Sequence, residues 1–301
     1  MTRSEGRADA GTAPAPAGAD RILLYTRIVG VVIVPFLVAA VVILYPFADR
    51  TDELFAWTIL PPLTAMLLGS AYAGGIWFFV QVVRSGQWHT VRYGFPAVLL
   101  FSVLLAVATF LHWDKFHPGH ISFIVWVTLY VTTPFLVLAA MIVNRREDAG
   151  APATPEASLP VWVRAVLAVI GIAALLCGLC LFVAPSLGID LWAWKLTPLT
   201  ARVLGAVLTL PGMVNVWMLG DARWSAFRRI VQAELVSLVL IVAALLLRGG
   251  ELLWSRPSAP LLVAGMVCSL AVFAAVYAWG EVRLNRRVSA SGRARSPAGR
   301  G

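Results

Sequence analysis

The chain has 301 residues, 60% of them hydrophobic and only 13% charged, with a net charge of +9. A soluble globular chain carries about a quarter charged and about 45–50% apolar residues, so this composition excludes a soluble enzyme, a disordered protein and a secreted disulfide scaffold. A mean hydropathy of +0.83 leaves an all-α polytopic membrane protein. Its surplus arginine then serves membrane topology and implies no nucleic-acid partner.

Residues 1–20 are Ala, Gly, Pro and charge, which cannot build a core, and are expected to be a disordered cytoplasmic tail. A bilayer core of about 30 Å needs about 20 apolar residues per helix. Eight runs meet that length: Ile28–Phe47, Pro62–Val83, Tyr93–Leu111, His120–Val143, Val163–Val183, Pro198–Leu219, Phe227–Leu247 and Pro260–Trp279. They are continuous rather than alternating, which argues against a strand barrel. The first is too long for a signal-peptide core and lacks a small-residue cleavage site. Pro35 and Pro134 predict kinks in the first and fourth spans. Gly69, Ser70, Ala71, Ala73, Gly74 and Gly75 set small residues four apart on the second span, a pattern that brings helices close. Residues 144–160 read as a cytoplasmic linker and 288–301 as a disordered basic tail. Cys177, Cys180 and Cys268 lie in apolar runs without charged neighbours to activate them, and read as small buried packing residues.

The spans repeat. Phe55-Ala56-Trp57 precedes Pro62-Leu63-Thr64-Ala65-x-x-Leu68-Gly69, and Trp192-Ala193-Trp194 precedes Pro198-Leu199-Thr200-Ala201-x-x-Leu204-Gly205. The offset of 136 also pairs Trp88 with Trp224 and Arg92 with Arg228, while Arg27 meets Arg164 at 137. The expected architecture is eight transmembrane helices in two parallel four-helix repeats, 21–143 and 161–287. They are related by a pseudo-twofold axis along the membrane normal, because four is even. Proline in the first turn suits the start of each paired helix. The tryptophans before them, Trp57 and Trp194, are expected at the membrane interface.

Arginine orients the spans. With the N-terminus inside, 18 basic residues fall in cytoplasmic segments and 5 in outer loops, which places both termini in the cytoplasm. Ionisable groups within spans are costly and mark functional candidates. Arg202 lies one turn into the sixth span, near the outer surface. Glu234 lies about seven residues, roughly 10 Å, into the seventh, with Gln232 or Arg228 as expected neighbours or else protonated. Asn215 is a mid-span polar group suited to an interhelical hydrogen bond. These three are the candidates for substrate or proton handling. The outer loop holds His112, Asp114, His117 and His120, whose imidazoles and carboxylate are candidate metal ligands, although they match no established spacing. His112 and His120 alternatively suit axial haem ligation. No acyl-transfer triad and no phosphate-cradling glycine loop is legible, and the cofactor stays unknown.

The paired Trp-to-Pro-Leu-Thr-Ala-x-x-Leu-Gly motifs, with His112-Trp113-Asp114, resemble a group of uncharacterised actinobacterial multi-pass membrane proteins. The resemblance spans about Arg27 to Arg287 and implies a bacterial plasma membrane; it carries no activity. The expected function is a small-solute or ion permease. A membrane scaffold or subunit with a protein partner is the alternative, and a membrane-embedded metal or haem redox enzyme the second alternative.

Overall fold

The computed structural model describes residues 20–147 and 156–295, with side chains to residue 290. Among these residues no strand forms beyond an isolated bridge between Ser158 and Arg223. Eight long helices build the protein: α1 (Leu24–Leu44), α2 (Pro62–Arg84), α3 (Gly94–Leu111), α4 (Ile121–Asn144), α5 (Val161–Val183), α6 (Pro198–Trp217), α7 (Trp224–Leu247) and α8 (Ser258–Arg295). Each is long and apolar enough to cross a bilayer. Inside lipid a helix satisfies its own backbone, which is why continuous apolar runs take this form. The chain is an integral, multi-pass, all-α membrane protein.

The helix starts follow local chemistry. Pro62 and Pro198 occupy first-turn positions of α2 and α6. Thr197 and Thr200 then form a reciprocal cap, each hydroxyl accepting from the other's backbone N–H at 2.8 and 3.2 Å. α2 has no such neighbour. Its Leu63 N–H donates instead to Glu251 Oε2, 2.8 Å away in the loop after α7.

Several boundaries differ from expectation. α1 starts at Leu24 and α7 at Trp224, because Tyr, Arg, Trp and Ser flanking an apolar run are adequate helix formers. α8 continues far beyond Trp279 for the same reason, so 288–295 is helical rather than disordered; residues 296–301 lie outside the described residues. Asp20 and residues 156–160 are tied into the fold, while 1–19 and 148–155 lie outside the described residues.

α2 and α6 form the centre, with 67% of each span buried, against 11–33% for α1, α4, α5, α7 and α8. α1 lies on α2 and α5 on α6, α3 pairs with α4, and α7 with α8. The two halves are joined crosswise, α2 against α7 and α6 against α3. Small residues set these distances. A Cβ on Gly178 would lie 2.5 Å from the carbonyl oxygen of Gly205, and one on Gly205 the same distance from that of Gly178, so α5 and α6 touch through bare backbone. Trp57 and Trp194 are not interface anchors: they are 1% and 0% exposed. Trp57 packs among Phe55, Phe116 and Trp126, and Trp194 donates to Thr64 Oγ1 at 2.8 Å. Phe55 and Phe116 supply apolar cover, so these rings are core pins. The three cysteines face out of the bundle rather than into it.

Positions 136 or 137 residues apart make matching bonds. Arg27 donates to the carbonyls of Val83 and Ser85, and Arg164 to those of Met218 and Leu219. Backbone bonds run from Ile22 to Gly86 and from Leu159 to Ala222, and likewise from His117 to Ala56 and from Leu253 to Ala193.

Candidate functional site

Glu234 is the eleventh residue of α7, roughly 15 Å from its start at about 1.5 Å per residue. That is mid-span, deeper than the sequence suggested, because the helix begins three residues earlier. It lines a cavity of about 240 Å³ to which all eight helices contribute. The wall is mostly aliphatic and aromatic with a few hydroxyls, and among the described residues Glu234 is its only carboxylate, with no cationic side chain beside it. Tyr72 and Tyr130 also line it, but their hydroxyls hydrogen-bond each other at 2.6 Å. Both Glu234 oxygens are buried without a hydrogen-bond partner among the described residues. Leaving a buried polar group unpaired costs free energy, so a position that retains one is exceptional. α2 closes on this turn of α7 through Gly74, where a Cβ would lie 2.1 Å from Ser237 Oγ and 2.7 Å from Ala233 O.

The expected neighbours of Glu234 are engaged elsewhere. Arg228 pairs with Glu281 at 2.5 Å. Gln232 Nε2 donates to the Tyr277 hydroxyl at 2.7 Å, and its Oε1 accepts from Trp77 Nε1 at 3.3 Å. The reason is helical geometry. At about 3.6 residues per turn, positions two and six away sit on other faces.

Arg202 and Asn215 are not brought to Glu234. Asn215 is fully buried on α6 against Gly171, where an added Cβ would lie 2.6 Å from the Asn215 Cβ. Its side-chain amide has no hydrogen-bond partner among the described residues, so the expected interhelical bond does not form. Arg202 instead reaches the end of α3, where its Nη1 donates to His112 Nε2 at 2.7 Å. Arginine is always a donor, so the imidazole accepts through Nε2.

That pairing uses His112. Asp114 pairs with Lys115 at 2.9 Å, His120 Nδ1 lies 2.8 Å from Ser122 Oγ, and His117 Nε2 lies 3.5 Å from Thr58 Oγ1. The His117 and His120 rings are 6.5 Å apart. Among the described residues no three His, Cys, Asp or Glu side chains gather as a metal site. The four loop residues are thus dispersed to separate partners.

Burial, and then the Arg202 charge, push the His112 imidazole below its ordinary value of 6.5. The folded state disfavours the proton on this ring, so the unfolded chain takes one up first as pH falls. The stabilisation is therefore full above pH 6.5 and is lost as pH falls toward the lower folded value. Thermal unfolding in detergent should show a midpoint that declines as pH falls below 6.5, and His112→Gln, which keeps an acceptor for Arg202, should flatten that decline. An identical slope in both proteins would remove His112 as its source.

The fourth histidine, absent from the sequence-derived candidates, anchors the arginine-rich end. His89 is 3% exposed. Its Nδ1 lies 2.5 Å from Asp20 Oδ2 and its Nε2 lies 3.0 Å from Ser225 Oγ. Ser225 Oγ donates to Glu156 Oε2. The acids also cap backbone: His89 N–H donates to Asp20 Oδ1 at 2.9 Å, and Ser225 N–H to Glu156 Oε1 at 3.1 Å. Asp20 and Glu156 are 136 residues apart, as are His89 and Ser225. Extending that offset into the polar segments is the signal that would have found them. The residue types are those of an acyl-transfer triad, which the sequence did not reveal. However, the serine proton goes to Glu156 and not to His89, so the chain of bonds is a clasp between the halves rather than an activated nucleophile. Beside it Asp221 accepts from the Tyr93 hydroxyl at 2.9 Å and from Arg223 Nη2 at 2.7 Å. Burial alone would raise this carboxyl, but the Arg223 and Tyr93 bonds outweigh it and hold Asp221 below the ordinary carboxylate value.

Comparison of the chain with protein-family models, with curated proteins and with solved structures finds no match.

Proposed function

We propose that the chain is a permease for a small solute or ion, that the central cavity is its substrate site, and that Glu234 is the group that holds the proton or cation. The observation that carries this reading is the buried carboxylate without a protein partner, facing a space lined by every helix of the bundle. A membrane-embedded carboxylate at mid-span is expensive and marks an ion or proton path by default. The reading includes two parallel four-span units, supported by the matching bonds at offsets of 136 and 137. Carriers built from such repeats place their site where the units meet. It also includes a bacterial plasma membrane with both termini cytoplasmic, supported by the arginine-rich end that carries Arg27, Arg92, Arg164 and Arg223.

The test is charge movement. Proteoliposomes adsorbed on a solid-supported membrane should give transient currents after a jump in proton, sodium, potassium or small organic ammonium concentration. Glu234→Gln should abolish them. Currents no larger than those of empty vesicles for every jump, or unchanged currents in Glu234→Gln, would refute the reading.

A further inference from the structure

We propose that the occupant of the central cavity is a small lipophilic organic monocation, with Glu234 as its counter-ion; this rests on the permease reading and names its substrate class. An inorganic cation must exchange its hydration shell for several oxygen ligands held together. The cavity does not offer them. Beyond Glu234 its polar side chains are six hydroxyls: Tyr72 and Tyr130 bond each other, Ser102 bonds the Leu99 carbonyl at 3.0 Å, and Thr133, Ser237 and Ser269 lie one each on α4, α7 and α8. A sugar or other neutral polar solute would leave most of its own groups unpaired against such a wall. An anion would meet a carboxylate and no cation.

An alkyl- or arylammonium ion fits each of these constraints. Its apolar shell needs no hydrogen bonds, its charge is single, and the cavity presents one carboxylate. The rings of Phe36, Phe78, Phe101 and Phe273 line the same space, and aromatic rings attract quaternary ammonium groups. Size sets the class further. At about 240 Å³ the space lies just below the roughly 300–1,000 Å³ of pockets for drug-sized ligands, which suits one ring or a few short alkyl arms.

Radiolabelled benzyltrimethylammonium should bind the purified full-length protein in mild detergent saturably, with tetraethylammonium competing. Neopentylbenzene, its neutral carbon isostere, should not compete. Glu234→Gln should weaken binding at least tenfold and Glu234→Asp should retain most of it, each variant being checked for monodispersity first. Equal binding of the neutral isostere, or unchanged affinity in a monodisperse Glu234→Gln protein, would overturn the cation assignment while leaving a permease for another solute. Absence of binding by either probe to the wild-type protein would also overturn it. Binding as expected without uptake of benzyltrimethylammonium into proteoliposomes would leave the ligand class standing and overturn the permease reading, so the two failures are distinct.

Discussion

Replacing His89 by alanine will destabilise the protein by about 3 kcal/mol, because it strips a buried partner from an acid on one side and a serine on the other. A hydrogen bond to a charged group is worth about 1.5–3 kcal/mol, and the serine loses a second partner as well; the total stays near the upper figure and not above it because the Asp20 side chain keeps 27% exposure to solvent. The damage reaches beyond the ring. Asp20 Oδ1 also holds the His89 backbone, and its carbonyl accepts from Trp88 N–H at 3.2 Å. Trp88 is 4% exposed beside Phe95, so the polar clasp and the apolar core at this end loosen together. Ser225→Ala should cost only about 1 kcal/mol, since one hydroxyl is lost and Glu156 keeps the Ser225 N–H. Chemical unfolding of the two variants in the same detergent gives the comparison. A His89→Ala loss no larger than that of Ser225→Ala would show that the histidine bridges nothing of consequence.

The second large effect is expected at the α5–α6 seam. Gly205→Leu should prevent recovery of monodisperse protein. A Cβ on Gly205 would already lie 2.5 Å from the Gly178 oxygen and 3.0 Å from the Phe182 nitrogen, both backbone atoms that no rotamer change can move. Overpacking a tight core costs about 1–3 kcal/mol, and more where helices must separate. Gly212 and Gly171 continue the seam, with a Cβ on Gly212 2.7 Å from the Gly171 oxygen. The strain therefore cannot be relieved by sliding one turn. Gly265→Ala is the control: on α8 an added Cβ meets nothing within 4 Å, so the change should be neutral or slightly stabilising. Size-exclusion profiles of the two variants decide it, and a normal Gly205→Leu profile would falsify the proposed backbone contact.

The number of spans was legible because run length and continuity alone report a bilayer crossing. Glu234 was legible for a related reason: one acid in an apolar run stands out against its surroundings. Its lack of a partner among the described residues was not, because sequence proximity was mistaken for a shared helix face. The loop histidines show the opposite failure. Close spacing along the chain suggested a common ligand, whereas His112 reaches to Arg202, ninety positions away. His89 was hidden among polar loop residues, where hydropathy carries no signal. Trp57 and Trp194 were misplaced because an aromatic beside a helix start reads alike as a lipid anchor or a core pin. Only the third dimension shows Phe116 and Thr64 against them.

The crosswise joining of the halves sets an order for assembly in the membrane. When α1 to α4 have been inserted, the face of α2 around Gly74 has no cover, because its partner α7 is still to be synthesised. The cap on α2 is missing as well, since Glu251 follows α7. Glu234 in turn enters the bilayer on α7, whose place against α2 is already waiting for it. The face of α2 therefore stays uncovered until α7 has been made, and the cavity is complete only with α8.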